Sequence, residues 1–202
     1  MNYLAHAYLS FGHPDILVGN MISDFVKGKK KFDYPAPIQK GITLHRAIDQ
    51  FTDEHKATKE AKVFFRPTYR LYAGAFVDVV YDHFLANDAN EFAEQSLYDF
   101  SQQVYCILDS KTSFLPERFA RMFPYMKEHN WLYNYREKWG TEKSLEGVVR
   151  RALYLQESSS AFRIFEENYQ PLQECYRQFW AELKPFALKQ FEMLLAADES
   201  PL

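Results

Sequence analysis

The residues best suited to chemistry lie between Gly41 and Asp53, in the segment GITLHRAIDQFTD. His45 and Asp49 are four positions apart there, so a helix would place both on one face, with Arg46 at the edge of that face. Apolar residues at helical spacing in the same segment predict a buried opposite side. An imidazole, a carboxylate and a guanidinium on one face are the groups that a metal and phosphate site needs. The alternative is a surface helix that carries an ordinary Asp–Arg pair.

Polar side chains of the same kind recur in three other apolar segments of the chain. A single His or Asp on a helix is usually structural, but four helices that each contribute one are harder to explain in that way. Carboxylates buried without a counter-charge are strongly disfavoured, and a metal ion would neutralise them. The further residues are His6, Asn20, Asp24, Asp78, Asp82 and His83.

The donor types predict the class of metal and the class of reaction. Carboxylates and imidazoles without a nearby cysteine suit Mn²⁺, Mg²⁺ or Fe²⁺ better than a thiolate zinc site. Such an ion lowers the pKa of a bound water and polarises a phosphoryl oxygen. Arg46 and a lysine-rich loop could hold the other phosphate oxygens, and the pattern therefore predicts metal-assisted phosphoester hydrolysis. The loop lysines are Lys27, Lys29, Lys30 and Lys31.

Helix geometry separates the roles of the last three polar residues. Asp78 and Asp82 share a face, whereas His83 is turned by about 100° from Asp82 on a regular helix. We expect Asp82 and His83 to bind the metal directly, and Asp78 to contact one of the ligand side chains and orient it. His45 could be either a ligand or a general acid for the leaving oxygen.

The elements that carry these residues are predicted to be helices throughout. Few glycines, no Asn-Gly or Asp-Gly turn and apolar residues at helical spacing indicate an all-α protein. A chain of 202 residues that is 47% hydrophobic has enough material for one compact multi-helix domain over 1–202. We place the helices at about 2–11, 14–26, 37–54, 58–65, 67–87, 91–108, 116–127, 143–157 and 160–196, the last divided near Pro171 or Pro185.

Composition narrows the partners and the compartment. A net charge of −3 gives no electrostatic argument for nucleic acid. No apolar run approaches membrane-spanning length, and the start MNYLAHAYLS does not have the pattern of an export signal, so a cytoplasmic protein is expected. Cys106 and Cys175 are expected to be reduced, buried small hydrophobes.

Four blocks within residues 1–87 resemble the acyl carrier protein phosphodiesterase family, in the same order: MNYLAHAYLS, GNMISDFVKG, GITLHRAIDQFTD and VVYDHFL. The resemblance implies a helical fold like that of the HD phosphohydrolases, although the dyad Asp82-His83 reverses the usual order. It also implies an enzyme that removes 4′-phosphopantetheine from a serine of holo-acyl carrier protein and needs a divalent cation, typically Mn²⁺. The matched positions give His6, Asp24, Asp82 and His83 as expected metal ligands and His45, Arg46, Asp49 and Asp78 as expected catalytic residues.

The resemblance gives the lysine loop a second interpretation. Acyl carrier proteins are acidic helical bundles, so Lys27–Lys31 could form a docking patch for one, or it could be an ordinary solvated turn. Two other functions stay open. A related phosphohydrolase could act on a nucleotide or another small phosphodiester, and a non-catalytic helical adaptor could use the polar faces as interhelical ion pairs. A chelator would inhibit the enzymes and leave the adaptor unaffected.

Overall fold

The computed structural model of the protein describes residues 2–152, 154–155 and 159–196. These residues form α-helices and short 3₁₀ turns without any strand, which confirms the all-α prediction. The α-helices are α1 Tyr3–Tyr8, α2 Pro14–Ile22, α3 Ala36–Glu54, α4 Lys56–Tyr69, α5 Ala73–Ala86, α6 Glu94–Ser110, α7 Glu117–Glu128, α8 Trp131–Asn134, α9 Lys138–Arg151, α10 Ser159–Glu167 and α11 Tyr169–Ala196. The 3₁₀ turns are Ser23–Phe25, Gly28–Asp33, Arg70–Tyr72 and Thr112–Phe114.

Helices α2 and α3 cross with their main chains in direct contact at two glycines. A Cβ atom at Gly19 would lie 2.1 Å from the carbonyl oxygen of Ile38, and one at Gly41 would lie 2.2 Å from that of Ile16. No side chain fits at either position, so glycine is required by the closeness of the helices. The crossing brings the main chain that follows Gly19 to the face of α3 that carries His45.

Helix α5 forms the centre of the core and also holds α1. Phe76, Val80 and Leu85 on α5 are buried completely or nearly so. Its Asp82 reaches the first turn of α1, where one carboxylate oxygen accepts the N–H of Leu4 at 2.7 Å and the other accepts that of Ala5 at 3.3 Å. Helix α1 has no capping side chain of its own, so the Asp82 carboxyl group accepts two of the N–H groups that its first turn leaves unpaired.

The helix boundaries predicted at Pro67 and Pro185 are wrong. Pro67 does not begin a helix but lies in the last turns of α4, which ends at Tyr69 before Arg70 takes a positive φ of 46°. The predicted division near Pro171 is confirmed, whereas Pro185 lies inside α11 and does not divide it. The division falls between Glu167 and Tyr169, so Pro171 lies in the first turn of α11, where its missing N–H has no intrahelical partner to lose.

The surroundings of the two cysteines are only partly as predicted. Both thiols are free and Cys175 is buried, but Cys106 is exposed. Cys106 lies on the solvent side of α6, so the prediction of its burial is wrong. Among the described residues no helix combines the length and apolar character needed to cross a membrane.

Candidate active site

The structure brings His6, His45 and Asp49 together, and their nitrogen and oxygen atoms lie within 4.8 Å of one another. The two imidazole rings, from α1 and α3, are stacked with centroids 3.8 Å apart and planes inclined by 16°. Asp49 Oδ1 lies 3.2 Å from His6 Nε2, and Asp49 Oδ2 lies 3.0 Å from His45 Nε2. Both histidines are buried while the Asp49 side chain is 41% exposed, so the cluster is open on the carboxylate side.

Asn20 on α2 holds the far side of both imidazole rings. Its main-chain carbonyl accepts a hydrogen bond from His45 Nδ1 at 2.7 Å. Its side-chain Oδ1 lies 2.8 Å from His6 Nδ1, and its Nδ2 donates to the carbonyl oxygen of His6 at 2.8 Å and to Ser10 Oγ at 3.2 Å. Because Nδ2 donates to a carbonyl, Oδ1 must be the acceptor, so His6 Nδ1 carries a proton. When a ring is neutral, its proton is therefore on Nδ1 and the lone pair of Nε2 faces Asp49.

This arrangement fits a divalent metal ion. The contact between His6 Nε2 and Asp49 has no hydrogen-bond geometry, and this buried nitrogen has no hydrogen-bond partner within the described part of the chain. Two ligand atoms at right angles on an ion with bonds of about 2.1 Å would lie about 3 Å apart, as the nitrogen and carboxylate atoms do here. Imidazole nitrogens held by their opposite N–H and one carboxylate are a common ligand set for Mn²⁺, Fe²⁺ or Zn²⁺.

The pKa values of the cluster show that a positive charge is stabilised between these groups. Burial, together with the nearby charge of His45, lowers the pKa of His6 to about 4. Burial also acts to lower the pKa of His45, but the hydrogen bonds and charges of Asp24 and Asp49 outweigh it and raise the pKa to about 9. Burial acts to raise the pKa of Asp49, yet the hydrogen bond from His45 and the nearby ring of His6 hold it well below its ordinary value. Without metal, one proton on His45 therefore supplies the positive charge.

Asp24 and Arg46 lie next to the cluster on the solvent side. Asp24 Oδ1 is 3.2 Å from His45 Nε2, and its side chain is 71% exposed. The hydrogen bond from His45 lowers the pKa of Asp24. Arg46 donates from Nη2 to the carbonyl oxygen of Val26 at 3.0 Å, which ties the chain after Asp24 to α3. Both side chains are therefore available at the open side of the site.

The structure does not bring Asp82 and His83, the two other expected ligands, into this cluster. The carboxylate of Asp82 accepts the two N–H groups of α1, and its pKa is raised to about 7 by burial. His83 Nδ1 lies 2.8 Å from the carbonyl oxygen of Tyr135, and its Nε2 lies 3.1 Å from the hydroxyl of Tyr169. Both ring nitrogens of His83 are thus occupied by the protein, which leaves neither free for a metal. We therefore replace Asp82 and His83 in the proposed ligand set by His45 and Asp49.

The remaining expected residues lie on the periphery. Asp78 is partly buried on α5, and burial raises its pKa, with a further contribution from the charge of Asp49. In the 3₁₀ turn Gly28–Asp33 and the residue before it, Lys27, Lys29 and Lys30 are exposed, whereas Lys31 lies 3.4 Å from the Thr43 hydroxyl on α3. The lysine loop therefore flanks the segment that carries Asp24.

A cavity of about 830 Å³ opens beside the N-terminus of α1. Asn2 and Tyr3 form one side of it, and α7, α8 and α9 supply the other walls, with Trp131 and Trp139 among their side chains. Asn2 and Tyr3 precede His6 by four and three residues, so they lie about one helical turn, or about 5 Å along the axis, from His6. This cavity could not be predicted from the sequence, because its walls come from segments far apart in the chain.

Comparison with known proteins identifies the family. Residues 1–183 match the family model for acyl carrier protein phosphodiesterase. The chain is 33% identical to the acyl carrier protein phosphodiesterase of Yersinia pestis, over 89% of this chain and 94% of the relative. It is 34% identical to that of Yersinia enterocolitica, over 90% and 93%, and 32% identical to that of Klebsiella pneumoniae, over 93% and 97%. No solved structure matches the chain, so the resemblance to the HD phosphohydrolase fold stays a prediction. The chain belongs to the acyl carrier protein phosphodiesterase family.

Proposed function

We propose that the protein hydrolyses the phosphodiester that joins 4′-phosphopantetheine to the serine of holo-acyl carrier protein. In this proposal a divalent metal ion, preferably Mn²⁺, binds at His6, His45 and Asp49. The observation that carries the proposal is that the Nε2 atoms of two buried histidines, each held at Nδ1 by Asn20, meet at one carboxylate. Family membership supports the reaction class, because the relatives are named as phosphodiesterases of this carrier protein.

The site residues have two roles in this proposal, to bind the metal ion and to bind the phosphate. A bound divalent ion supplies Lewis acidity toward the phosphoryl group and lowers the pKa of a water. His6, His45 and Asp49 hold it, and exposed Asp24, beside His45 Nε2, completes the ligand set. A guanidinium has five N–H donors, so the bond of Arg46 to Val26 leaves others for a non-bridging phosphate oxygen.

The lysine loop gives the site a means of attracting its protein substrate. Lys27, Lys29 and Lys30 are exposed next to the segment of Asp24, and acyl carrier proteins are acidic. Opposite charges on the two surfaces accelerate encounter and orient the partner, an effect that salt weakens. We propose that this loop is the docking patch for the carrier protein.

The test is a mass spectrum of holo-acyl carrier protein incubated with the protein and Mn²⁺, beside the same mixture with EDTA. We expect loss of the phosphopantetheine mass with metal only. The His45→Ala variant should lose activity and metal binding together, whereas the matched variant His55→Ala should keep both, because His55 lies apart from the cluster in an ion pair with Glu182.

Other outcomes would separate the alternatives. Metal binding without loss of the prosthetic group, but with hydrolysis of a small phosphodiester, would favour the small-substrate enzyme. No metal binding and no hydrolysis would favour the adaptor and would reject the proposal.

A further inference from the structure

The cavity beside α1 has the size and lining of a binding site for a flexible, partly polar chain. Its volume of about 830 Å³ falls in the range of small-molecule sites. Aromatic and thioether side chains form much of the wall, and amide and hydroxyl groups are interspersed among them. The apolar set includes Met122, Tyr125, Trp131 and Trp139, and the polar set includes Asn2, Asn130 and Ser144.

The charges at the cavity favour an anionic ligand. Among the described residues, Lys143, Arg150 and Arg151 line it together with one carboxylate, that of Glu128, and Lys143 is also paired with Glu146 at 3.0 Å. Arginine and lysine together are suited to a phosphate group or an acidic protein surface at the entrance.

Tyr3 lies at the cavity and also packs, through two phenylalanines, toward the segment that carries Asp24. It lines the cavity, and its hydroxyl contacts Met122 Sδ at 3.7 Å. Its ring packs against Phe119, and Phe119 in turn packs against Phe25, the neighbour of Asp24. Burial raises the pKa of Tyr3 to about 12, with Arg151 acting to lower it and Asp24 to raise it, so Tyr3 lies in the fields of both sites.

We propose that this cavity binds the pantetheine arm of the carrier protein while the phosphodiester lies at the metal cluster. The inference rests on the proposed function and adds to it the location of the arm. Pantetheine is a linear chain of methylene groups interrupted by two amides and a hydroxyl and ending in a thiol. Aromatic walls with amide and hydroxyl partners suit such a chain, and the positive rim suits its phosphate end.

Gly147 on α9 is a position at which a larger side chain would fill part of the cavity. A Cβ atom there would meet no atom closer than Arg151 Nη1 at 3.7 Å, so a larger side chain can enter the open space. In Gly147→Ala the helix gains propensity but the cavity loses little volume, which makes it the matched control for Gly147→Leu.

The experiment measures binding of 4′-phosphopantetheine by calorimetry in EDTA, so that the metal plays no part. We expect wild type and Gly147→Ala to bind it alike, and Gly147→Leu to bind at least about tenfold more weakly, the lower range for a lost pocket contact. With Mn²⁺, the KM for holo-carrier protein should rise similarly in Gly147→Leu. Hydrolysis of bis(p-nitrophenyl) phosphate, which has no pantetheine arm, should be unchanged.

A second variant protects the test against misfolding. Trp139→Ala removes an exposed cavity wall from the same helix, and it should also weaken binding. Equal binding by wild type and both cavity variants, or no binding by wild type, would overturn the inference even if holo-carrier protein were hydrolysed. Binding that follows the expected order without hydrolysis of the carrier protein would instead reject the proposed function and leave the cavity assignment standing.

Discussion

Replacement of Asn20 by alanine should release His6, one of the two histidines proposed to bind the metal, and leave His45 in place. The Asn20 side chain is fully buried and contacts His6 Nδ1, the His6 carbonyl oxygen and Ser10 Oγ. His45 is held by the main-chain carbonyl of Asn20, which alanine retains. The variant therefore frees the ring of His6 while His45 stays oriented.

The expected magnitudes follow from these contacts. Three buried hydrogen bonds at about 1 kcal/mol each predict that Asn20→Ala lowers the free energy of unfolding by about 3 kcal/mol. Loss of a group that orients a metal-binding histidine typically weakens metal affinity by about 10- to 100-fold. The assay is calorimetric titration with Mn²⁺, together with urea unfolding of the metal-free protein.

Ser10→Ala is the matched control. It removes the bonds from Asn20 Nδ2 to Ser10 Oγ and from Ser10 Oγ to the His6 carbonyl, but it leaves the contact of Asn20 with His6 Nδ1. We expect this control to lose about 1–2 kcal/mol of stability and to bind Mn²⁺ as wild type does. Asn20→Ala with wild-type Mn²⁺ affinity, or an equal loss of affinity in Ser10→Ala, would refute the reasoning.

Three other perturbations probe the helix crossing, the charge of the cluster and the docking patch. Gly41→Ala should lower stability by about 3 kcal/mol or prevent folding, whereas Gly74→Ala, which meets only the Lys62 side chain, should stay within about 1 kcal/mol of wild type by urea unfolding. In the metal-free protein, the stabilisation that charged His45 provides should be complete below pH 6.5 and should be lost as the pH rises through about 9. The His45→Gln variant should lack this pH dependence of the free energy of unfolding. Parallel pH profiles of the two proteins would contradict the prediction. The double variant Lys29→Glu/Lys30→Glu should raise the KM for the carrier protein at low salt without changing the Mn²⁺ affinity. The control Lys59→Glu on α4 should change neither quantity. An unchanged KM in the double variant would exclude docking at the loop.

The sequence was sufficient for the helical class and for the central part of the candidate site. Apolar spacing identified the buried faces of α3 and α5, and the i, i+4 relation of His45 and Asp49 correctly placed them on one side of α3. The family followed from short blocks in the first half of the chain and is confirmed by the match over 1–183. The metal and the substrate stay predictions.

The sequence could not show which of the buried polar residues lie together in one cluster. Asp82 and His83 look like ligands by residue type and apolar context, yet one caps α1 and the other is bonded to Tyr135 and Tyr169. These partners are distant in the chain, so only the tertiary structure reveals them. Asn20 was visible as a polar residue on an apolar helix, but its importance arises from the approach of three helices.

The main-chain contact between Gly19 and Gly41 has a consequence for how this protein can diverge. Side chains that interlock must change together, whereas two bare backbones in contact keep their separation whatever the neighbouring side chains become. The distance from the Asn20 carbonyl to the His45 ring is set by that separation. We therefore expect the identities of the apolar residues around the crossing to differ among relatives that share only a third of their sequence. The two glycines and the residues they align would form the slowly changing part of the molecule.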